Sequence, residues 1–407
     1  MKDQADFAPL DLGIAAIDTA NAKRLVIGRD SLVSRMWEEL RVNSIQLLAE
    51  RRMGKTCVMK LALASPPEWA KTLLFDAQGH ASPIEFIGAL NKALHAEGLI
   101  PNQWYERAYD WTRRCLQRLA GQSVGPVSIP ELDSWPSFLE DTCRKFVEHC
   151  PGANSVLMID ELPFFLDKLV KREAAQDAIR FLDVFRALRH SLPSFRLLYC
   201  GSLGLHIVLQ SLREFGYTGR PVNDMLSLDV PPLSPEDARY LAGCVLLGKR
   251  IVCSDVGAVA ESLAEACSYV PFYIIHAATW MRAQGHPQWT PDQARDVPKR
   301  LFEAAGDPAE FAYYNQRLDQ YYPEGVVEKA RAVLDVLSRE PRGLAFDDLV
   351  NLVRHRPKTL EVDAGEVRKI LDDLRDDHYI VPVDGLWRFK LEIVRQWWFE
   401  NRGKLAL

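Results

Sequence analysis

Residues Ser44–Lys60 read SIQLLAERRMGKTCVMK. The apolar run Ile45–Leu48, then a turn, then Gly54-Lys55-Thr56 and a stretch able to be helical predict a strand, a phosphate-cradling loop and a helix. In such a loop the backbone N–H groups and the helix N-terminus face phosphates. The Lys55 ammonium reaches the β/γ oxygens and the Thr56 hydroxyl ligates Mg²⁺. Arg52, Met53, Gly54 and Cys57 complete the stretch expected to line ATP. Ala49 stands where the motif G-x-x-x-x-G-K-[ST] begins with glycine. If that position needs a positive φ, its Cβ costs on the order of 1 kcal/mol and weakens nucleotide affinity.

A bare G-K-[ST] arises by chance in roughly one chain in five of this length, so a second element has to support it. Ser155–Leu162, SVLMIDEL, supplies one. Its apolar residues ending in Asp160-Glu161 read as a buried parallel strand whose carboxylates emerge at the C-terminal edge, where ligands sit in open α/β sheets. Asp160 would hold the Mg²⁺ shell and Glu161 would polarise an attacking water. Taken singly, such a string is more often a core strand ending in a solvated acidic turn. The upstream loop shifts the reading towards nucleotide chemistry.

The 407 residues suggest two or three domains with ample core. At 48% hydrophobic and 26% charged the composition is that of an ordinary globular protein. A net charge of −5 supplies no global basic field for nucleic acid or anionic membrane, so any nucleic-acid contact must be a local patch. The eight cysteines form no C-x-x-C pair and no His-coupled metal spacing. They read as reduced core thiols of a cytoplasmic protein. No window approaches 18 uninterrupted apolar residues.

Residues 1–22 read as a loosely held arm. Leu25–Asp30, LVIGRD, leads into an amphipathic helix, Ser31–Leu40, with Ile27 and Gly28 forming either an adenine-side wall or an ordinary turn. Thr72–Asp76 reads as a strand and Pro83–Leu94 as a helix. Residues 95–135 read as an irregular insertion carrying Trp104, Tyr105, Trp111 and Trp135. These aromatics, interleaved with Arg113, Arg114 and Arg118, would either stack on nucleic acid or form an apolar face packed on the domain. Glu173–His190 follows as a helix and Phe195–Cys200 as a strand. Ser202, just past that strand, is the expected sensor of the γ-phosphate or the lytic water. Alternating strands and helices predict a parallel, doubly wound α/β sheet.

These residues carry a family resemblance. The chain resembles the AAA+ ATPases, and within them the prokaryotic/archaeal ATPase branch close to origin-recognition-type and STAND NTPases. The matching stretches are VIGRD, AERRMGKT, VLMIDEL, LLYCGSLG and GYTGRPVNDMLSLDVPPLSPEDA, with SYVPFYIIHAATW at 268–280 similar to the G-x-P-x-Y motif of a helical lid. Tyr269-Val270 stands where that motif carries glycines. The resemblance implies a P-loop NTPase core with a small helical lid, nucleotide between them, and Arg220 at the position of an arginine finger. On the residues alone Arg220 is equally a surface or turn-stabilising side chain. The implied domains are an N-terminal arm (1–22), a core (23–230, with an insertion at about 95–135), a lid (231–290), a connector (291–324) and a winged-helix domain (325–407).

The tail reads as helices at Val326–Ser338, Phe346–Val353 and Ala364–Asp377, followed by a hairpin turning at Asp384-Gly385, the order of a winged helix. DNA contact is conceivable through Arg354, Arg356, Lys358, Arg388 and Lys390. Residues 361–378, however, contain seven acids against three bases. A helix of net −4 suits a phosphate-lined groove poorly, and 325–407 balances 15 acids with 15 bases. A protein-contact or autoinhibitory tail is the stronger reading. The leading expectation is an ATP- and Mg²⁺-dependent switch that hydrolyses slowly and whose partners are its own protomers or an effector protein. The alternatives are an ATP-dependent DNA-binding protein resembling origin-recognition or transposition ATPases, and an inactive NTPase serving as a scaffold.

Overall fold

The computed structural model describes residues 7–13, 17–120, 134–201, 204–355 and 362–404. They fall into two compact units. A sheet unit comprises Ile17–Ala49 and Lys55–Val230, and a helical unit comprises the described residues of Met1–Ala16, Glu50–Gly54 and Pro231–Leu407. Among the described residues no helix is long and apolar enough to cross a membrane.

In the sheet unit α1 (Ala22–Leu25) and α2 (Asp30–Leu40) precede β1 (Ser44–Leu48), α3 (Lys55–Leu63), β2 (Ala70–Asp76) and α4 (Pro83–Ala96). Then come α5 (Asn102–Leu119), α6 (Trp135–His149), β3 (Asn154–Asp160), α7 (Leu162–Lys171), α8 (Ala175–Ser191), β4 (Phe195–Cys200), α9 (Leu205–Glu214) and β5 (Met225–Asp229). The five strands pair in parallel in the order β2-β3-β4-β1-β5. From Ser155 to Asp160 every residue of β3 is buried, as its continuous apolar run requires of a strand covered on both faces. Register sets the site: Leu47 lies opposite Cys200 and Ile159 opposite Tyr199. The C-terminal ends of β1, β3 and β4 are therefore level.

The stretch expected to be irregular is not so where it is described. Asn102–Leu119 is an 18-residue helix, and Trp104, Ala108, Trp111 and Cys115 form its buried stripe. Phe138 stacks on both Trp104 (5.2 Å) and Trp111 (4.2 Å). The Trp104 indole N–H donates to Asn91 Oδ1 at 2.9 Å, and Asn91 Nδ2 donates to Thr142. These tryptophans are core, which favours the packed-face reading over stacking on nucleic acid. Arg113 and Arg118 remain exposed. Residues 121–133 lie outside the described residues.

The helical unit contains α10 (Pro235–Gly248), α11 (Val256–Ala266), α12 (Pro271–Ala283), α13 (Pro291–Phe302), α14 (Ala312–Tyr321), α15 (Glu324–Ser338), α16 (Phe346–Arg354) and α17 (Ala364–Asp376). The hairpin β6 (Ile380–Val383) and β7 (Leu386–Phe389), α18 (Glu392–Trp398) and a π-helical turn (Phe399–Gly403) complete it. Side-chain caps set several helix starts: Ser234 for α10, Asp255 for α11, and reciprocal capping boxes Thr290/Gln293 for α13 and Asp363/Glu366 for α17. Asp384 (φ 51°) and Gly385 (φ 80°) are both left-handed, as a two-residue I′ hairpin turn demands. Leu344 and Trp387 exchange backbone hydrogen bonds of 2.9 and 2.8 Å, a one-pair antiparallel bridge along the edge of β7. Three helices followed by this hairpin have the element order of a winged helix.

α14 is joined to this module by a buried ion pair, Arg317 to Asp377 at 3.1 Å, with Tyr322 Oη donating to the other Asp377 oxygen at 2.8 Å. Residues 7–13, within the stretch expected to be a loose arm, are held. Phe7, Leu10 and Leu12 are buried, Leu10 N–H donates to the Cys244 carbonyl, and Lys249 Nζ donates to the Leu12 carbonyl. Gly248 permits that approach. A Cβ there would lie 2.2 Å from the Leu10 carbonyl carbon and oxygen. Because that neighbour is backbone, Gly248→Ala should destabilise the protein by about 1–3 kcal/mol in chemical denaturation. An unchanged midpoint would mean that residues 7–13 do not dock on α10 in solution.

Candidate nucleotide site

The chain between β1 and α3 bends twice through the left-handed region, at Arg52 (φ 71°) and Gly54 (φ 89°). Ala49 has no positive φ among the residues so marked. The anticipated strain of a Cβ at the first motif position is therefore absent, and it falls instead on Arg52, at about 1 kcal/mol. α3 starts at Lys55, so the unsatisfied N–H groups of a helix N-terminus follow directly on the loop. Lys55 is buried, and its ammonium donates to the Ala49 carbonyl at 2.8 Å. Met53 is buried and Cys57 half-buried, with burial pushing the Cys57 thiol up.

One residue on, Thr56 Oγ1 donates to Asp160 Oδ2 at 2.6 Å. The other oxygen, Oδ1, receives the Cys200 thiol at 2.9 Å. Burial, reinforced by the Asp160 charge, pushes the Cys200 thiol well up, so it stays protonated and donates. Cys200 is among the cysteines expected to be reduced core thiols; its place level with Leu47, which brings it to Asp160, follows from strand order and register. Glu161, the residue before α7, is left-handed at φ 56° and half-buried beside Asp160.

The remaining expected residues are dispersed. Gly28 is left-handed (φ 68°), the turn glycine between α1 and α2, with half-buried Ile27 before it. Ser202 lies outside the described residues. Arg220 is exposed in the segment between α9 and β5, and no carboxylate among the described residues pairs with it. That segment is pinned beside it: Arg189, on α8, grips Asp224 through two bonds of 2.9 and 2.8 Å and also donates to the Pro221 carbonyl.

In the tail, Arg354 donates to the Val362 carbonyl, Lys390 to His378 Nδ1 at 3.1 Å, and Arg388 is exposed. Arg356 and Lys358 lie outside the described residues. Of the α17 bases, Arg368 sits over the Phe346 ring and Arg375 is bound to Asp372 and Asp376.

The donor set at Thr56 and Asp160 suits Mg²⁺. One hydroxyl and one carboxylate are hard oxygen ligands, and such sites leave other positions to phosphate and water. No cluster of three or more His, Cys, Asp or Glu side chains forms a metal cage among the described residues. Because Asp160 relies on two donors, Cys200→Ala should leave Oδ1 unsatisfied and cost about 1–3 kcal/mol of stability in urea titrations. Cys200→Ser, which keeps a donor, should lose clearly less. Equal losses for the two variants would show that the thiol acts there only as volume.

The sequence matches no protein-family model and no curated protein. Among solved structures, the Walker-type ATPase PABY2304 of Pyrococcus abyssi superposes with a TM-score of 0.60 at 14% identity, over 95% of this chain and 99% of that one. The ORC2 protein of Aeropyrum pernix (TM-score 0.48, 12% identity, 93% and 95% covered) and the RuvB Holliday junction branch migration motor of Thermotoga maritima (0.37, 10%, 89% and 92%) are more distant. This chain has the fold of a P-loop, Walker-type ATPase, as its likeness to the AAA+ ATPases implies.

Proposed function

We propose that the protein binds ATP with Mg²⁺ and hydrolyses it slowly, as a switch of AAA+/STAND type whose nucleotide state governs self-association or contact with an effector protein. The observation that carries this reading is the pairing of Thr56 with Asp160 one residue beyond a lysine held against its own loop. Lys55 stands directly after the left-handed loop and one residue before Thr56, and the Ala49 carbonyl holds its cation where phosphate oxygens would take over.

In this reading Lys55 exchanges the Ala49 carbonyl for the β/γ oxygens, and the N–H groups at the start of α3 meet the phosphates. Thr56 and Asp160 hold Mg²⁺, which when bound neutralises charge on the transferring phosphoryl group. Glu161 accepts a hydrogen bond from the attacking water and orients it. Ser202 reports on the γ-phosphate, and Arg220 reaches the nucleotide of a neighbouring protomer. The exposure of Arg220 and the pinning of its segment by Arg189 support that last role. Residues 231–290 serve as lid, 291–324 as connector and 325–407 as the module that contacts a partner. No observation favours DNA as that partner, since two of the three bases of α17 are committed within the module.

Lys55→Ala should weaken ATP binding by roughly 2–4 kcal/mol in calorimetry, the order of breaking a desolvated charge pair. An unchanged affinity would remove the phosphate-loop assignment. Glu161→Gln should still bind ATP while turnover drops by about 10²-fold or more. Arg220→Ala should bind normally and lose turnover together with ATP-driven association. Mixing these last two variants should then partly restore hydrolysis, because one mixed interface combines an intact Glu161 with an intact Arg220. No recovery on mixing, with a loss independent of protein concentration, would place Arg220 in cis or make it structural.

A further inference from the structure

Arg52 is the only residue of the loop that carries a side chain through the left-handed region, so something outside the loop has to hold it there. Its guanidinium meets Glu310 through both ends of the fork, Nε to Oε2 at 3.1 Å and Nη2 to Oε1. The same carboxylate takes Arg51 Nη2 at 3.0 Å. Both guanidinium groups also lie on rings, Arg52 4.5 Å from the Phe272 centroid and Arg51 4.3 Å from that of Tyr313. A forked, two-bond pair backed by an aromatic face restricts its arginine far more than a single surface contact does. All five residues belong to the helical unit.

The acid is itself built into position. Glu310 (φ 55°) and Asp307 (φ 45°) are both left-handed in the short turn before α14. Asp307 stabilises that turn by accepting the N–H groups of Phe311 (2.9 Å) and Ala312 (2.8 Å) on its carboxylate and that of Glu310 (2.9 Å) on its carbonyl. Burial alone would raise the Glu310 carboxyl, but Arg52 and Arg51 outweigh it and hold it below its ordinary value. It is therefore charged at neutral pH. His276, packed on Phe272 at 4.1 Å, is pushed down to about 4 by burial and then by Arg52, so it adds no competing cation.

We infer that Glu310 is a positioning residue for the phosphate loop: by clamping Arg52 it holds the left-handed backbone that shapes the N–H cradle, and so sets nucleotide affinity without touching nucleotide. The inference rests on the proposed ATP-binding role of this loop. It assigns a function to an acid 258 residues away in sequence that no motif marks.

The test compares ATP affinity, by calorimetry, of Glu310→Ala, Glu310→Gln, Arg52→Gly and the double variant E310A/R52G, with Lys55→Ala as reference. Glu310→Ala should bind ATP about tenfold more weakly, and E310Q, which keeps the shape, less so. Arg52→Gly should bind ATP more tightly than E310A, because glycine takes a positive φ without a clamp. The double variant should match R52G rather than E310A. A double variant as weak as E310A would overturn the inference, since Glu310 would then act by charge and not through the Arg52 backbone. Wild-type affinity in E310A while K55A loses binding would overturn it too. Hydrogen exchange at the amides of residues 51–54 needs no nucleotide and should quicken in E310A; unchanged exchange overturns the inference whatever K55A shows. Unaltered ATP binding in K55A would instead count against the ATP-binding role.

Discussion

A buried carboxylate cannot be left without donors, and at the heart of the sheet unit that constraint falls on Asp160. Both of its oxygens are satisfied, one by Thr56 and one by Cys200. Those donors come from different elements, the first turn of α3 and the last residue of β4. They meet because β4 pairs with both β3 and β1 and because the register levels their C-terminal ends. Strand order and the geometry of the candidate site are thus one fact seen at two scales. The same carboxylate is the one assigned to Mg²⁺ in the proposed function.

The helical unit solves a related problem with arginine. Arg317 is buried with Asp377 and faced by the rings of Tyr313 and Tyr379. A buried pair of this kind is weak evidence for net stability, yet removing either partner would strand a charge and cost several kcal/mol. Its structural consequence is to tie α14 to the end of α17. The turn before α14 presents Glu310 to Arg51 and Arg52, so the segment that shapes the phosphate loop is continuous with the one anchored on the C-terminal module. A change at the loop therefore has a covalent and packed route to that module through α14.

What the sequence revealed and what it hid follow from the range of the interactions. The β1–loop–α3 pattern, the β3 run ending in Asp160-Glu161, and the Asp384-Gly385 hairpin are each set by neighbours within a few residues. All were legible. α5 was missed because its buried stripe is spread among arginines, glutamines and tyrosines, and the aromatic and Gly/Pro content of 95–135 drew more weight than the recurrence of Trp104, Ala108, Trp111 and Cys115. The docking of residues 7–13 was hidden because it uses backbone groups and a glycine on α10, neither of which leaves a local pattern. The contacts of Cys200 and Glu310 were invisible for the strongest reason: their partners lie 40 and 258 residues away.

The central claim is that the loop between β1 and α3, with Thr56 and Asp160 behind it, holds ATP together with Mg²⁺. Equilibrium binding of a fluorescent ATP analogue to the full chain, with Mg²⁺ and again with excess EDTA, tests it most directly. The account predicts saturable binding that unlabelled ATP displaces and that weakens by about tenfold or more when Mg²⁺ is removed. Absence of saturable binding up to millimolar analogue, or binding of equal strength in Mg²⁺ and in EDTA, would contradict it.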